Sequence, residues 1–366
     1  MDSEGSELIL RVLDEADDRP LWIPIWGGAN CLAQALWKLK ETRSPVEVDR
    51  LVSKIRVYAI SDQDDSSQCL RGAFPRLSYI VSPSDQGFGD YKTATWWGIS
   101  GDKLATNVPR PMFCRNLAAQ GRPCTPIIRG PRFEIVYNPW LEEHIRSHGP
   151  LGARYPPVRF IMEGDTPSFL NLIENGLAAH VRPDWGGWGG RYQLYRPEGE
   201  PREIWTNADD QVVAPDGETY QTNHATVWRW REAYQHDFAA RMDWSVSEHF
   251  DESNHNPMLT VNGDASKEPI YVPARPGETI RLSASGSRDP DQGDQIGYHW
   301  WQYREAGSYP SEVPVPAPEK QTVAVVVPED AAGSTFHIIL EATDGGAPPL
   351  RSYRRIIVQA TEPPIP

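Results

Sequence analysis

Cysteine is scarce, four in 366 residues: Cys31, Cys69, Cys114 and Cys124. They form no CxxC pair and have no close histidine partner, which argues against a zinc site and leaves room for one or two disulfides. Positive charge is short as well, 36 Lys and Arg against 50 Asp and Glu for a formal net charge of -14. Without a basic stripe, a nucleic-acid backbone is a poor partner, whereas neutral sugars and cations suit the balance. No run reaches membrane-spanning length, and "MDSEGSELIL" lacks both the basic start and the apolar core of a secretory signal. Membrane insertion is therefore not expected.

What is plentiful is aromatic and loop-forming: 14 Trp, 14 Tyr, 34 Pro and 29 Gly. Aromatic rings on long loops suit sugar binding, because the apolar face of a pyranose lies against them. The length allows two domains with sizeable cores.

Residues 1–250 alternate helical and extended patterns. "SELILRVLDEA" is helical, "PLWIPIW" extended, "NCLAQALWKLKE" helical, "SPVEVDRLVSKI" helical from a Ser44-Pro45 start, and "RVYAIS" extended. A short helix "SQCLRGAF" and a strand "LSYIVS" follow. This alternation predicts an α/β fold, a mostly parallel sheet flanked by helices. An irregular stretch at about 102–133 shows no sustained period and reads as an insert or as a flaw in the coding sequence. Beyond it come a helix "PWLEEHIRSH", a strand "VRFIME", a helix "PSFLNLIENGL", a Trp/Gly loop "PDWGGWGGRY" and one long helix "HATVWRWREAYQHDFAARMDW". From 256 to 362 the period switches to two, predicting a small antiparallel β-sandwich.

In "IPIWGGANCLAQALWKL" the apolar run breaks at Gly27-Gly28 and resumes at helical spacing, a strand-turn-helix unit with Asn30 as the expected helix N-cap. Open α/β sheets bind ligands outside the carboxyl ends of their strands, so this turn is a candidate pocket wall. Asp62, Asp64 and Asp65 follow the strand "RVYA"; carboxylates so close call for a cation or hydrogen-bond donors, or else form a solvated helix start. Glu163 and Asp165 close another predicted strand, and "WTNADD", Trp205 to Asp210, reads as a polar turn. His236 beside Asp237 pairs an imidazole with a carboxylate, the combination that protonates a leaving base while a cation orients water. Asp289, Asp291 and Asp294 are candidate calcium ligands or turn formers.

Taken together, "DDRPLWIPIWGGANCLAQALWK", "VYAISDQDD", "HGPLGARYPPVRFIMEGDTPSFL", "PDWGGWGGRY", "VWRWREAYQHDFAARMDW", "NHNP" and "HIILEATDGGAPPLRSYRRI" resemble a fungal and bacterial family of cellulose-binding proteins. Its members carry a nucleoside-hydrolase-like domain and a C-terminal immunoglobulin-like domain. The latter is similar to cadherin-like and polycystic-kidney-disease-type domains through "SGSRDPDQGD" and "EATDGGAPPLRSYRRIIV". The resemblance implies an incomplete nucleoside-hydrolase-like domain at 1–250 and a β-sandwich at 256–362. It implies calcium held by the Ala29 carbonyl and Asp237, with His236 as the leaving-group acid. Asn30 and either Asp62 to Asp65 or Glu163 to Asp165 would bind the substrate, a carbohydrate or nucleoside-like small molecule.

Nucleoside hydrolases also carry an N-terminal aspartate cluster that supplies most calcium ligands and the general base. This chain lacks that cluster, so an N-terminally truncated domain is expected, and the resemblance alone leans towards an extracellular setting. Two functions follow: hydrolysis of N-glycosyl or related glycosyl bonds, or carbohydrate binding without catalysis through Trp185 and Trp188. An inactive truncated paralogue is the third reading.

Overall fold

The computed structural model describes residues 2–81, 130–157, 163–197, 199–215 and 217–361. The irregular insert at about 102–133 and the strand expected at "VRFIME" fall almost wholly outside these residues, as do Cys114 and Cys124. Cys31 and Cys69 are exposed free thiols.

The first third builds as its periods predict. Helix α1 (Glu4–Asp14) is capped by Ser3, and α3 (Pro45–Lys54) opens on a capping box between Ser44 and Glu47. Between them lie β1 (Leu21–Ile25) and α2 (Asn30–Thr42); after them come β2 (Ile55–Ala59), α4 (Ser66–Ala73) and β3 (Ser78–Val81). The N-cap of α2 is Ala29 rather than Asn30, whose side chain accepts from the Cys31 amide at 2.9 Å instead.

Two further strands, β4 (Tyr192–Tyr195) and β5 (Ile204–Asn207), complete a five-stranded sheet in the order β1-β2-β3-β5-β4. All neighbours are parallel except β4, which runs antiparallel to β5. "WTNADD" is thus not a simple turn: Trp205 to Asn207 lie in β5, and Asp210 opens a hairpin of β6 (Asp210–Val213) and β7 (Thr219–Thr222).

Strand alternation sends Val57 and Ala59 to one face, where Leu13, Leu36, Leu51 and Leu70 of α1 to α4 cover them. Tyr58, Ile60 and Ile80 face the other way, against Leu177, Trp188, Trp230 and Tyr234. Several expected helices are shorter. "PWLEEHIRSH" is helical only as α5 (Asn138–Leu141) with a π-type turn over Glu142–Arg146, and α6 (Gly149–Gly152) follows. "PSFLNLIENGL" forms only α7 (Pro167–Leu170), since the chain must turn at Gly176, φ 93°, where any Cβ would strike the Tyr353 carbonyl. The long helix is broken at Trp230 into α8 (Ala225–Trp228) and α9 (Arg231–Trp244).

The last third forms β8 (Ile270–Ala274), β9 (Thr279–Ser283), β10 (Gly297–Gln302), β11 (Thr322–Val326), β12 (Thr335–Thr343) and β13 (Arg351–Ala360). A four-stranded sheet, β10-β12-β13-β8, and the β9-β11 pair share one core around Leu282, Trp300, Val325, Phe336 and Ile356. Pairing is antiparallel apart from β13 with β8, which is parallel and corrects the fully antiparallel expectation. The outer face of this sheet, through Ile339 and Tyr353, joins the cluster on the second face of the parallel sheet.

Candidate functional site

The carboxyl edge of the parallel sheet gathers several of the expected residues. Where β1 ends, its Ile25 carbonyl accepts from the Ile60 amide at 3.0 Å, tying the turns after β1 and β2 together. Gly28 then passes against Asp64; a Cβ there would sit 2.3 Å from Asp64 Oδ2, so the glycine lets backbone and carboxylate approach. Asp64 Oδ1 accepts from the Ser66 amide at 3.0 Å, which leaves Oδ2 facing the turn. Asp65 is exposed at the start of α4.

Trp26 follows directly on β1 and is 57% exposed, and its indole Nε1 donates to Ser168 Oγ at 2.7 Å. Ser168 in turn donates to the Asp165 carbonyl at 2.8 Å, bringing the Glu163 to Asp165 segment to the same edge. Thr166 donates to the Glu163 carboxylate. Asp165 is different: its Oδ1 is buried without a hydrogen-bond partner, and burial, then the charge of Glu163, push its carboxyl up to about 6. Both expected counterparts of the substrate loop thus converge on one edge. Trp26 and Ser168 were missed, although an aromatic residue at a strand end before Gly-Gly was a readable signal.

Other expected residues have different duties. Asp62 is taken by Arg71, which also grips Glu200; Asp62 Oδ2 lies 2.7 Å from Arg71 Nη2, with the guanidinium buried over the Tyr79 ring. Trp185 and Trp188 are corrected: both rings are buried, Trp185 against His337 and Tyr271, Trp188 against Tyr234 and Tyr353. The flanking glycines that suggested an exposed loop instead allow it to be wedged between two sheets. Arg355 locks it there, donating to the carbonyls of Leu177 at 2.6 Å and Gly186 at 2.8 Å.

Asp237 is buried and paired with Arg241 at 2.6 Å, burial raising its carboxyl against the pull of that partner. The Ala29 carbonyl accepts the Ala33 amide at 2.9 Å as the first bond of α2. The Ala29 carbonyl thus serves α2 and Asp237 Oδ2 serves Arg241, and this pair alone falls short of the about six to eight oxygens that a calcium ion takes. His236 Nδ1 donates to the Pro349 carbonyl at 3.0 Å, and burial lowers its basicity. It therefore faces the loop before β13. Among the described residues, one carboxylate oxygen each from Asp289, Asp291 and Asp294 lie within 4.8 Å of one another. That turn is braced by His255, whose Nδ1 is 3.0 Å from Asp291 Oδ1. No helix is long and apolar enough to cross a membrane among the described residues.

Comparison with known proteins bears on this arrangement. A family profile described as "Cellulose-binding Sde182, nucleoside hydrolase-like domain" matches residues 1–116 and 118–192, and "Cellulose-binding protein Sde0182, C-terminal domain" matches 279–360. Among solved structures, a nucleoside hydrolase-related hypothetical protein from Saccharophagus degradans, described as associated with carbohydrate metabolism, is 33% identical. The match has a TM-score of 0.75 and covers 98% of this chain and 75% of that one. The PKD domain of the KIAA 1837 protein is 18% identical (TM-score 0.20, 27% of this chain and 86% of that one). Human CDH23 EC21-23 is 19% identical (TM-score 0.21, 29% and 35%). Neither of these two carries weight at such scores. Comparison with curated proteins returns no match. With one profile matching more than half of the chain, a second matching its C-terminal sheets, and a structural relative 33% identical over 98% of this chain, this chain belongs to the cellulose-binding Sde182 family with a nucleoside hydrolase-like domain.

Proposed function

We propose that the protein binds carbohydrate at the carboxyl edge of its parallel sheet. The observation that carries this is Trp26: a largely exposed indole whose nitrogen is pinned by Ser168, beside the Asp64 carboxylate and the Gly27-Gly28 backbone. A fixed aromatic face takes the C–H side of a sugar ring with little ordering cost, and the acidic groups accept its hydroxyls. The family's name and the carbohydrate association of the structural relative support the same reading.

The test is retention on microcrystalline cellulose and titration with cello-oligosaccharides. Trp26→Ala should weaken binding about tenfold or more, the worth of one aromatic platform, with thermal stability little changed because the ring is exposed. Undiminished binding in Trp26→Ala would remove this surface from consideration.

A second reading, glycosyl hydrolysis, rests on Asp165. A carboxyl group whose proton is held up to about pH 6 suits proton delivery to a leaving oxygen or base, with Asp165 as the acid, its proton affinity raised by burial and then by the neighbouring Glu163. No step in this reading passes through calcium.

A further inference from the structure

A groove of about 420 Å³ lies away from the sheet edge, where the β6-β7 hairpin and α8 meet β10 and the loop after it. That volume is in the range of small-molecule sites, about 300 to 1,000 Å³. Strand alternation builds its wall: Trp300 enters the core between the two C-terminal sheets, so Trp301 must face outward, onto Trp230 and Tyr303. Trp301 lines the groove only partly covered, although its Nε1 is itself buried and without a hydrogen-bond partner. Val213, 64% exposed, lines the same groove.

The charged part of the lining is balanced, Arg229 and Arg304 against Glu305 and Glu312. Arg229 is fixed, donating to the Gln211 carbonyl at 3.1 Å and to Glu305 at 3.2 Å while its guanidinium lies 5.5 Å from the Trp301 ring. Beneath them Asp210 is buried and fully engaged by Arg191, Arg229 and Tyr303. The groove is thus held by a satisfied network and arrives preformed.

An aromatic edge and an isopropyl group, rimmed by acceptors and donors of no net charge, complement a ligand with apolar ring faces and a belt of hydroxyls. We infer that this groove is a second binding site, for a short neutral oligosaccharide, separate from the Trp26 edge.

The experiment is calorimetric titration of the full chain with cellohexaose and with maltohexaose, in the wild type, Trp26→Ala, Trp301→Ala and Val213→Arg. The last places a guanidinium on an exposed rim position near Glu305 and Glu312, closing the groove without touching the core. A binding component that survives Trp26→Ala and weakens at least tenfold in Val213→Arg supports the site. If Trp301→Ala folds, it should lose the same component; if it does not fold, Val213→Arg decides. The inference is overturned if Trp26→Ala abolishes all binding, if Val213→Arg leaves the titration unchanged, or if neither hexaose binds. An unchanged Trp26→Ala with a silenced Val213→Arg would sink the edge site and keep the groove.

Discussion

A single carboxyl group, Asp165, separates the two functional readings. Its folded value near 6 stands above the ordinary 3.8 because charge is disfavoured by burial and by Glu163. The unfolded chain therefore releases this proton first, and stability falls as pH rises from about 4 through 6, then levels off. Allowing for solvent screening of a partly exposed group, the loss is on the order of 1–2 kcal/mol. Asp165→Asn should remove that slope, seen as a smaller difference in urea midpoint between pH 4.5 and pH 7.5. If the protein cleaves aryl glycosides or nucleosides, the same variant should lower kcat by about 10²- to 10⁴-fold. The wild-type rate should fall above pH 6, where the acid form disappears. A pH profile unmoved by Asp165→Asn would exclude it as the acid.

At the level of elements, α4 and the loop before it stand or fall with Arg71. Its guanidinium forks between Asp62 and Glu200. Arg71→Met would leave two carboxylates facing each other and should cost about 3–5 kcal/mol. Arg71→Lys should recover little, because an ammonium cannot fork. Chemical denaturation measures both, and a cost below about 1 kcal/mol would show the cluster to be solvated instead. The elements themselves were legible where their periods are local: α1 to α4 and β1 to β3 follow from amphipathic spacing and the Ser44 capping box. The four-residue strands β4 to β7 were not, since β5 meets β3 through one pair, Ile80 with Trp205, and has no internal pattern of its own. In the site, the acidic residues could be read, but not their partners. Arg71 and Glu200 meet only through the fold, whereas Arg241, four residues after Asp237 on one helix, was a readable sign that Asp237 was already paired.

For the whole molecule, the joint between the parallel sheet and the C-terminal sheets has a buried cluster of its own, with Tyr58, Trp188, Trp230, Tyr303, Ile339 and Tyr353 in it. Asp210 fastens it, its two oxygens receiving Arg191 at 2.7 Å and Tyr303 at 2.6 Å, with Arg229 at 3.3 Å. Asp210→Ala leaves the buried Arg191 without its carboxylate and takes one of two from Arg229, and should cost about 3–5 kcal/mol. Tyr303→Phe, which removes one hydroxyl bonded to a charge, should cost about 1–3 kcal/mol. Equal effects of the two in urea denaturation would show that the charge network is not what holds the joint. The composition hinted at two units but not at this union, because Trp188, Trp230 and Trp301 come from three distant segments, the first of them among glycines.

That seal has an optical consequence. Trp188, Trp230 and Trp301 lie in one aromatic cluster spanning the joint, and Trp185 is buried beside it. Water reaching these rings shifts and dims their emission, so the native chain carries its own reporter of the two sheets parting, readable without any attached dye.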